Sequence, residues 1–205
     1  MTKVKFCGLK SLRDVEYVNL CRPDYVGFVF WPKSRRFAER ELAERMKGAL
    51  APGITAVGVF VDETPEKVAE LLNDGVIDLA QLHGSEDEAY IAKLRQLTDK
   101  GIIRAFRVKG EEEILSAEDC TADMILLDSG AGSGERFDWS VVKDVKRPYF
   151  LAGGLTPENA GAAVRKLHPC ALDVSSGIET DGVKDLEKMK AFMKAVRDAE
   201  SEGRT

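Results

Sequence analysis

The chain has 205 residues, a formal net charge of -5, 44% hydrophobic residues and 32% charged residues. This mixture is typical of a soluble globular protein and excludes a disordered one, while the acidic balance argues against nucleic acid as a partner. No run approaches the roughly 18 apolar residues of a membrane span, and the length predicts one domain over residues 1–205.

The four cysteines, Cys7, Cys21, Cys120 and Cys170, are widely spaced and form no CxxC pair. The start of the chain, MTKVKF, has no apolar signal segment. We therefore expect free thiols in a reducing, cytoplasmic environment rather than disulfides.

Eight short apolar runs follow one another along the chain, mostly without clean alternation of apolar and polar residues. Such runs are typical of parallel strands that are covered on both faces. Their starts are about 20–30 residues apart, which leaves room for a loop and a helix between neighbours. The predicted strands are residues 4–8, 25–30, 55–62, 78–84, 102–108, 124–129, 149–154 and 171–177.

The segments between the runs carry signals for helix starts. Two resemble capping boxes, and two place a threonine before a proline at the first helical position. Eight successive strand–helix units predict an α/β fold, a closed (β/α)8 TIM barrel, more than an open doubly wound sheet, for which the GxGxxG motif is missing. The four start signals are SLRD (11–14), TPE (64–66), SEDE (85–88) and TPE (156–158).

Catalytic groups of such barrels lie at the carboxyl ends of the strands. Two strand ends near the end of the chain are rich in glycine and serine. Glycines allow close approach of the backbone to a phosphate, and a following helix N-terminus favours the anion. We therefore predict a phosphate site in AGGLTPEN and DVSSGIE, made by Gly153, Gly154, Ser175, Ser176 and Gly177.

A thiol and a carboxyl end two other strands. Cys7 closes the first strand and Asp128 the sixth, so both point to the barrel mouth. A thiolate can accept a proton when positive charge lowers its pKa, and a protonated carboxyl can donate one. Position alone leaves the alternatives of a buried core cysteine and a helix-capping aspartate open.

Three further features surround these ends. Arg36, in the loop WPKSRRF, offers a planar fork that suits a carboxylate or phosphate. His83 ends the fourth strand and is one of two histidines. A lone histidine is usually structural or a hydrogen-bond donor, and the other strand ends lack the further ligands of a metal site. We expect His83 among the substrate-binding residues. The glycine-rich stretch SGAGSGERFDW (129–139) predicts a loop that closes over substrate.

The motifs together resemble the phosphoribosylanthranilate isomerase family of tryptophan biosynthesis. They cover nearly the whole chain in the family's order, and only the loop AGSGERFDW departs from the expected pattern, which affects loop contacts and not the reaction. The matching stretches are VKFCGLK, DYVGFVFWPKSRRF, VGVFVDE, AQLHGSE, LLDSGAGSGERFDW, LAGGLTPENA and DVSSGIE.

The resemblance implies an Amadori rearrangement of N-(5-phosphoribosyl)anthranilate without metal or cofactor. It assigns Cys7 as the general base for C2 of the ribose and Asp128 as the general acid for the ring oxygen. Arg36 would meet the anthranilate end, and the glycine and serine loops would bind the phosphate. The implied partner is a small phosphosugar substrate, and the implied assembly is a monomer or a homodimer.

Several alternatives use related barrels. The histidine-pathway isomerase would have an aspartate in place of Cys7 and a second glycine-rich loop after strands three and four, where VFVDE and QLHGSE share one glycine. An indole-forming cyclase would need lysines at strand ends, and a metal-dependent epimerase a set of histidine and acid ligands. A non-catalytic phosphosugar-binding barrel would need neither Cys7 nor Asp128.

Overall fold

The computed structural model describes residues 1–128, 142 and 145–202. Eight parallel strands follow in chain order around a closed barrel, and the last strand pairs with the first. The predicted (β/α)8 barrel is therefore confirmed over the open sheet. The barrel strands are β1 (Lys3–Cys7), β2 (Tyr25–Val29), β3 (Thr55–Phe60), β4 (Leu79–Leu82), β5 (Gly101–Arg107), β6 (Met124–Asp128), β7 (Tyr149–Ala152) and β8 (Ala171–Val174).

Helices cover the outside of the barrel. The described ranges contain seven α-helices, and the connection from β6 to β7 falls mostly outside them. A short 3-10 helix (Ser176–Ile178) and a hairpin of β9 (Glu179–Thr180) and β10 (Val183–Lys184) separate β8 from the last helix. The helices are α1 (Leu12–Cys21), α2 (Arg40–Gly48), α3 (Pro65–Asn73), α4 (Glu88–Arg95), α5 (Glu111–Asp119), α6 (Pro157–Leu167) and α7 (Leu186–Glu202).

Two of the predicted helix starts are capped as their sequences indicate. The Ser11 hydroxyl accepts a hydrogen bond from the Asp14 amide at 3.2 Å at the start of α1. The Thr64 hydroxyl accepts one from the Lys67 amide at 3.4 Å at the start of α3. The helix after Thr156 also begins at its proline.

The prediction that Ser85 caps the fourth helix is wrong. Helix α4 begins at Glu88, and the Asp87 carboxylate accepts the hydrogen bond from the Tyr90 amide at 2.8 Å. The Ser85 hydroxyl instead donates to Asp62 at 2.7 Å and ties the loop after β4 to the loop after β3. Aspartate and serine cap helices equally well, so the hydrogen bond of Ser85 to Asp62 decides that Asp87 caps α4.

The core has two layers because successive strand residues point to opposite sides of the barrel wall. The larger layer lies between strands and helices, and includes Phe6, Phe28 and Met46, all fully buried. The smaller layer fills the barrel interior, where the rings of Tyr25 and Phe150 lie 5.3 Å apart. The barrel is thus a filled scaffold that presents its strand ends at fixed positions. Within the described ranges, the helices are too short or too polar to cross a bilayer.

Candidate active site

A cavity of about 650 Å³ opens at the carboxyl ends of the barrel strands. Most of the predicted site residues line it, although they come from both halves of the chain. The residues that line it include Cys7, Arg36, Gln81, His83, Arg107, Asp128, Gly153, Gly154, Asp173, Ser175 and Ser176.

Cys7 is the last residue of β1 and is partly exposed to this cavity. Two residues earlier, on the same side of the strand, Lys5 is fully buried and donates a hydrogen bond to Asp173 of β8 at 2.7 Å. Burial opposes the charge of Lys5, but Asp173 raises its pKa, so the ammonium is kept. Burial raises the pKa of the Cys7 thiol, and the charges of Lys5 and Lys184 oppose that rise.

Arg36 lies in the loop after β2 and is held by a buried carboxylate. Its Nε and Nη2 atoms donate to the two oxygens of Glu179, the first residue of β9, at 2.6 and 2.8 Å. Lys184 of β10 donates to the same carboxylate at 2.8 Å and to the Ser175 carbonyl at 3.0 Å. The hairpin after β8 thus fixes one edge of the Arg36 guanidinium.

The charges of Arg36, Glu179 and Lys184 shift the pKa values of the carboxylate and the ammonium. Burial opposes ionisation of Glu179, but the hydrogen bonds from Arg36 and the charge of Lys184 lower its pKa to about 2. Burial also lowers the pKa of Lys184, against the attraction of Glu179. Glu179 is therefore ionised throughout the physiological range, and Arg36 keeps a charged partner.

The backbone conformation at residue 8 and the path of Arg36 explain why a glycine follows Cys7. Its φ is +81°, a left-handed conformation that favours glycine. A Cβ atom at residue 8 would lie 2.2 Å from Cδ of Arg36. The aliphatic part of Arg36 passes through the space that any other residue would fill, so Gly8 is required for Arg36 to reach the cavity.

The predicted phosphate loops follow β7 and β8. Gly153 and Gly154 turn the chain into α6, and Ser175 and Ser176 lie beside them at the cavity wall. Gly177 does not line the cavity. A Cβ atom there would lie 1.9 Å from the Leu155 carbonyl oxygen, so Gly177 lets the two loops touch.

Asp128 ends β6 and meets His83 from the end of β4. The His83 Nε2 atom lies 3.2 Å from Oδ2 of Asp128, and both side chains are 21% exposed. The Gln81 amide nitrogen lies 2.9 Å from Nδ1 of His83. Three side chains therefore form a line of hydrogen bonds that ends at the carboxyl group.

The sequence also raises the questions of a closing loop and of a metal site. The predicted closing loop, residues 129–139, lies outside the described residues. Across the described ranges, no three histidine, cysteine or acidic side chains are grouped in a way that could hold a metal ion.

Sequence reasoning missed five residues that contact the predicted ones or one another. Three of them precede a predicted residue by two positions on the same side of a strand, a pattern that was available in the sequence. The other two lie in the hairpin after β8, for which no local signal exists. In order, they are Lys5, Gln81, Asp173, Glu179 and Lys184.

The fold and the site define a class of protein, a (β/α)8-barrel enzyme with a thiol, a carboxyl and glycine- and serine-rich loops around one strand-end cavity. A family model described as N-(5'phosphoribosyl)anthranilate (PRA) isomerase matches residues 4–195. The chain therefore belongs to that family, the one that its motifs resemble.

Individual relatives agree with this assignment. The N-(5'-phosphoribosyl)anthranilate isomerase of Endomicrobium trichonymphae is 44% identical in an alignment 202 residues long, which covers 96% of this chain and 99% of that protein. The crystal structure of phosphoribosyl anthranilate isomerase from Thermotoga maritima has a TM-score of 0.88 at 37% identity and covers 97% of this chain and 100% of its own. A structure of the isomerase in complex with reduced 1-(O-carboxyphenylamino)-1-deoxyribulose 5-phosphate has a TM-score of 0.86 at 37% identity, with coverage of 97% and 100%.

Proposed function

We propose that Cys7 and Asp128 act as base and acid in the isomerisation of N-(5'-phosphoribosyl)anthranilate that this family catalyses in tryptophan biosynthesis. The observation that carries the proposal is that both groups line one cavity, with a cationic loop and glycine-rich loops in the same wall. Thiol and carboxyl have different surroundings, which is how one site divides the roles of base and acid.

The first step opens the sugar ring. The Asp128 carboxyl gives its proton to the furanose ring oxygen, the C1–O bond breaks, and the anilino nitrogen supplies the electron pair of a C1=N iminium bond. Asp128 is left as a carboxylate. The His83 ring beside it, 3.2 Å away, can stabilise that charge when it donates.

The second step removes the C2 proton. The Cys7 thiolate takes it, the C2–H electron pair forms a C1=C2 bond, and the C1=N pair returns to nitrogen, which gives an enolamine. Tautomerisation loses the proton of the C2 hydroxyl and adds one at C1, which gives the ketone. Exchange with solvent restores Cys7 and Asp128, and all substrate atoms and electrons are retained.

The substrate carries one phosphate and one carboxylate, so it needs an anion site at each end. We assign Arg36 to the carboxylate, because Glu179 holds one edge of its guanidinium and the side chain also lines the cavity. We assign the loops with Gly153, Gly154, Ser175 and Ser176 to the phosphate, with Gly177 as their support. A substrate held at both ends places C2 and the ring oxygen between base and acid.

We further propose that the chain forms one catalytic domain, works in the cytoplasm, and acts as a monomer or a homodimer. The free state of all four cysteines supports the reducing location.

The experiment follows the fluorescence of freshly made phosphoribosylanthranilate in the presence of a chelator. We expect fast loss of signal with wild type, and a loss of kcat of about 10³-fold in Cys7→Ser and in Asp128→Asn. Serine is a far weaker base at neutral pH, and an amide cannot deliver a proton. Binding without turnover by wild type would instead indicate a binding barrel, and near-normal turnover in either variant would remove that residue from the mechanism.

A further inference from the structure

Gln81, His83 and Asp128 form a line of three side chains in the cavity wall. Gln81 lies in β4 and His83 two residues later, so both point to the same side of the barrel wall. The Gln81 amide nitrogen is 2.9 Å from Nδ1 of His83, and Nε2 of His83 is 3.2 Å from Asp128. Each ring nitrogen of His83 therefore has its own partner.

Gln81 is a buried residue whose side-chain amide makes one hydrogen bond. The residue is 1% exposed. Among the described residues, its side chain bonds only to His83, and its amide oxygen has no partner. A buried amide with an unpaired oxygen costs free energy. An apolar residue would fill this position in the barrel interior at lower cost, so the bond to His83 is the feature that distinguishes glutamine here.

That bond has a direction. The amide N–H of Gln81 can donate to Nδ1 only when Nδ1 carries no proton. A neutral imidazole then carries its proton on Nε2, the atom that faces the Asp128 carboxyl. The hydrogen bond at one ring nitrogen thus sets the state of the other.

We propose that Gln81 and His83 are positioning residues for Asp128: Gln81 holds His83 as the Nε2–H tautomer, and this N–H orients the Asp128 carboxyl and stabilises the carboxylate left after proton delivery. The inference rests on the proposed acid role of Asp128. It gives His83 a task beside the general acid, distinct from direct contact with substrate.

Nitrogen-15 NMR of the histidine rings tests the tautomer directly. The chain has two histidines, and His168, which follows α6, serves as an internal reference. At a pH of about 8, above the ordinary titration range of histidine, we expect the Nε2–H pattern for His83. The Nδ1–H pattern in wild type would overturn the proposal.

Gln81→Glu is the decisive variant, because a carboxylate can accept from Nδ1–H but cannot donate to Nδ1. We expect the His83 proton to move to Nδ1, or the ring to become doubly protonated, while the His168 signals stay unchanged. Gln96→Glu, at the exposed end of α4, makes the same chemical change at the surface and should leave both rings unchanged. If Gln81→Glu does not fold, Gln81→Met should show both His83 tautomers; an unchanged His83 pattern in the variant measured overturns the proposal.

Kinetics test the link to Asp128. His83→Phe removes the donor and should lower kcat about tenfold or more, the effect of one hydrogen bond to a charged group. His83→Gln places an amide N–H near the position of Nε2 and should lose clearly less. Equal kcat in wild type and His83→Phe would overturn the positioning role while the isomerase assignment stands. A wild type without turnover would overturn the isomerase assignment, and the NMR result would be unaffected by it.

Discussion

The two sides of the cavity are held together by different interactions. We define the cysteine side as Lys5, Cys7, Asp173, Glu179 and Lys184, and the aspartate side as Gln81, His83 and Asp128. The cysteine side is held by ion pairs between buried charged side chains. On the aspartate side, the carboxyl of Asp128 is held by hydrogen bonds through an imidazole and an amide.

The difference matters for proton transfer. Burial raises the pKa of the Cys7 thiol, Lys5 and Lys184 lower it and Asp173 raises it, and the net shift is upward, so the two lysines offset part of the cost of a thiolate. A line of hydrogen bonds can accommodate a carboxyl that gains and loses a proton during each turnover. The base therefore has fixed charged surroundings, and the acid has surroundings that tolerate both of its states.

The largest expected effect comes from breaking a buried ion pair on the cysteine side. Lys5→Met leaves Asp173 buried without its partner and should lower the free energy of unfolding by about 3–5 kcal/mol. Gln81→Met, the matched change on the aspartate side, removes a hydrogen bond to a neutral ring but also removes an unpaired buried amide oxygen, so its cost should lie between zero and about 1 kcal/mol. Urea denaturation of the two variants gives the comparison.

A double variant controls for lost packing. Lys5→Met with Asp173→Leu buries no charge, so it should recover much of the stability lost in Lys5→Met. Equal costs for Lys5→Met and Gln81→Met would show that the two sides do not differ as described.

Acid should weaken the cysteine side through Glu179. The pKa of this carboxyl falls from an ordinary 4.5 to about 2 on folding. A lowered folded-state pKa gives stability that is complete above about pH 5 and is lost as the pH falls toward 2, about 3 kcal/mol in all. Unfolding of wild type and Glu179→Gln between pH 2 and pH 6 should give curves that converge at the acid end. A constant difference between the curves would exclude Glu179 as the source.

The smallest expected effect is on substrate binding. Glu179→Gln removes the charged partner that orients the Arg36 guanidinium and should raise KM about tenfold, the effect of one charge-assisted hydrogen bond. Arg35→Gln is the control, since the Arg35 side chain is 64% exposed and 3.3 Å from Glu179, and an exposed pair contributes little. The measurement is the steady-state KM of wild type, Glu179→Gln and Arg35→Gln. An unchanged KM in Glu179→Gln would mean that Arg36 binds substrate without support from the hairpin.

Most of the fold could be predicted from sequence because its signals are local. Apolar runs indicate buried parallel strands, and a threonine followed by a proline indicates a helix start; each signal lies within a few residues. The exception at Ser85 depends on Asp62 in another loop, a contact that no local pattern contains. The strands also end a residue or more before several of the predicted runs do, because the last residues turn into the cavity loops.

The site was less predictable than the fold. Residues at strand ends could be found by position, and Arg36 by its type, but the carboxylate that holds Arg36 lies in a hairpin 143 residues away. The hairpin strands have two residues each, too short for a hydrophobic period. The neighbours of Gly177 predict a place beside the phosphate, and the close contact of its loop with Leu155 is a second reason for glycine that no local pattern contains.

Two separate obstacles keep residue 8 a glycine. A methyl group there would collide with the arginine stem, and the left-handed φ of +81° strains any other side chain whatever the space. A shorter side chain at residue 36 removes only the first obstacle. A library that randomises both codons should therefore return glycine at residue 8 even in clones that have lost the arginine, so the arginine loop can vary while the strand end that carries the cysteine stays fixed.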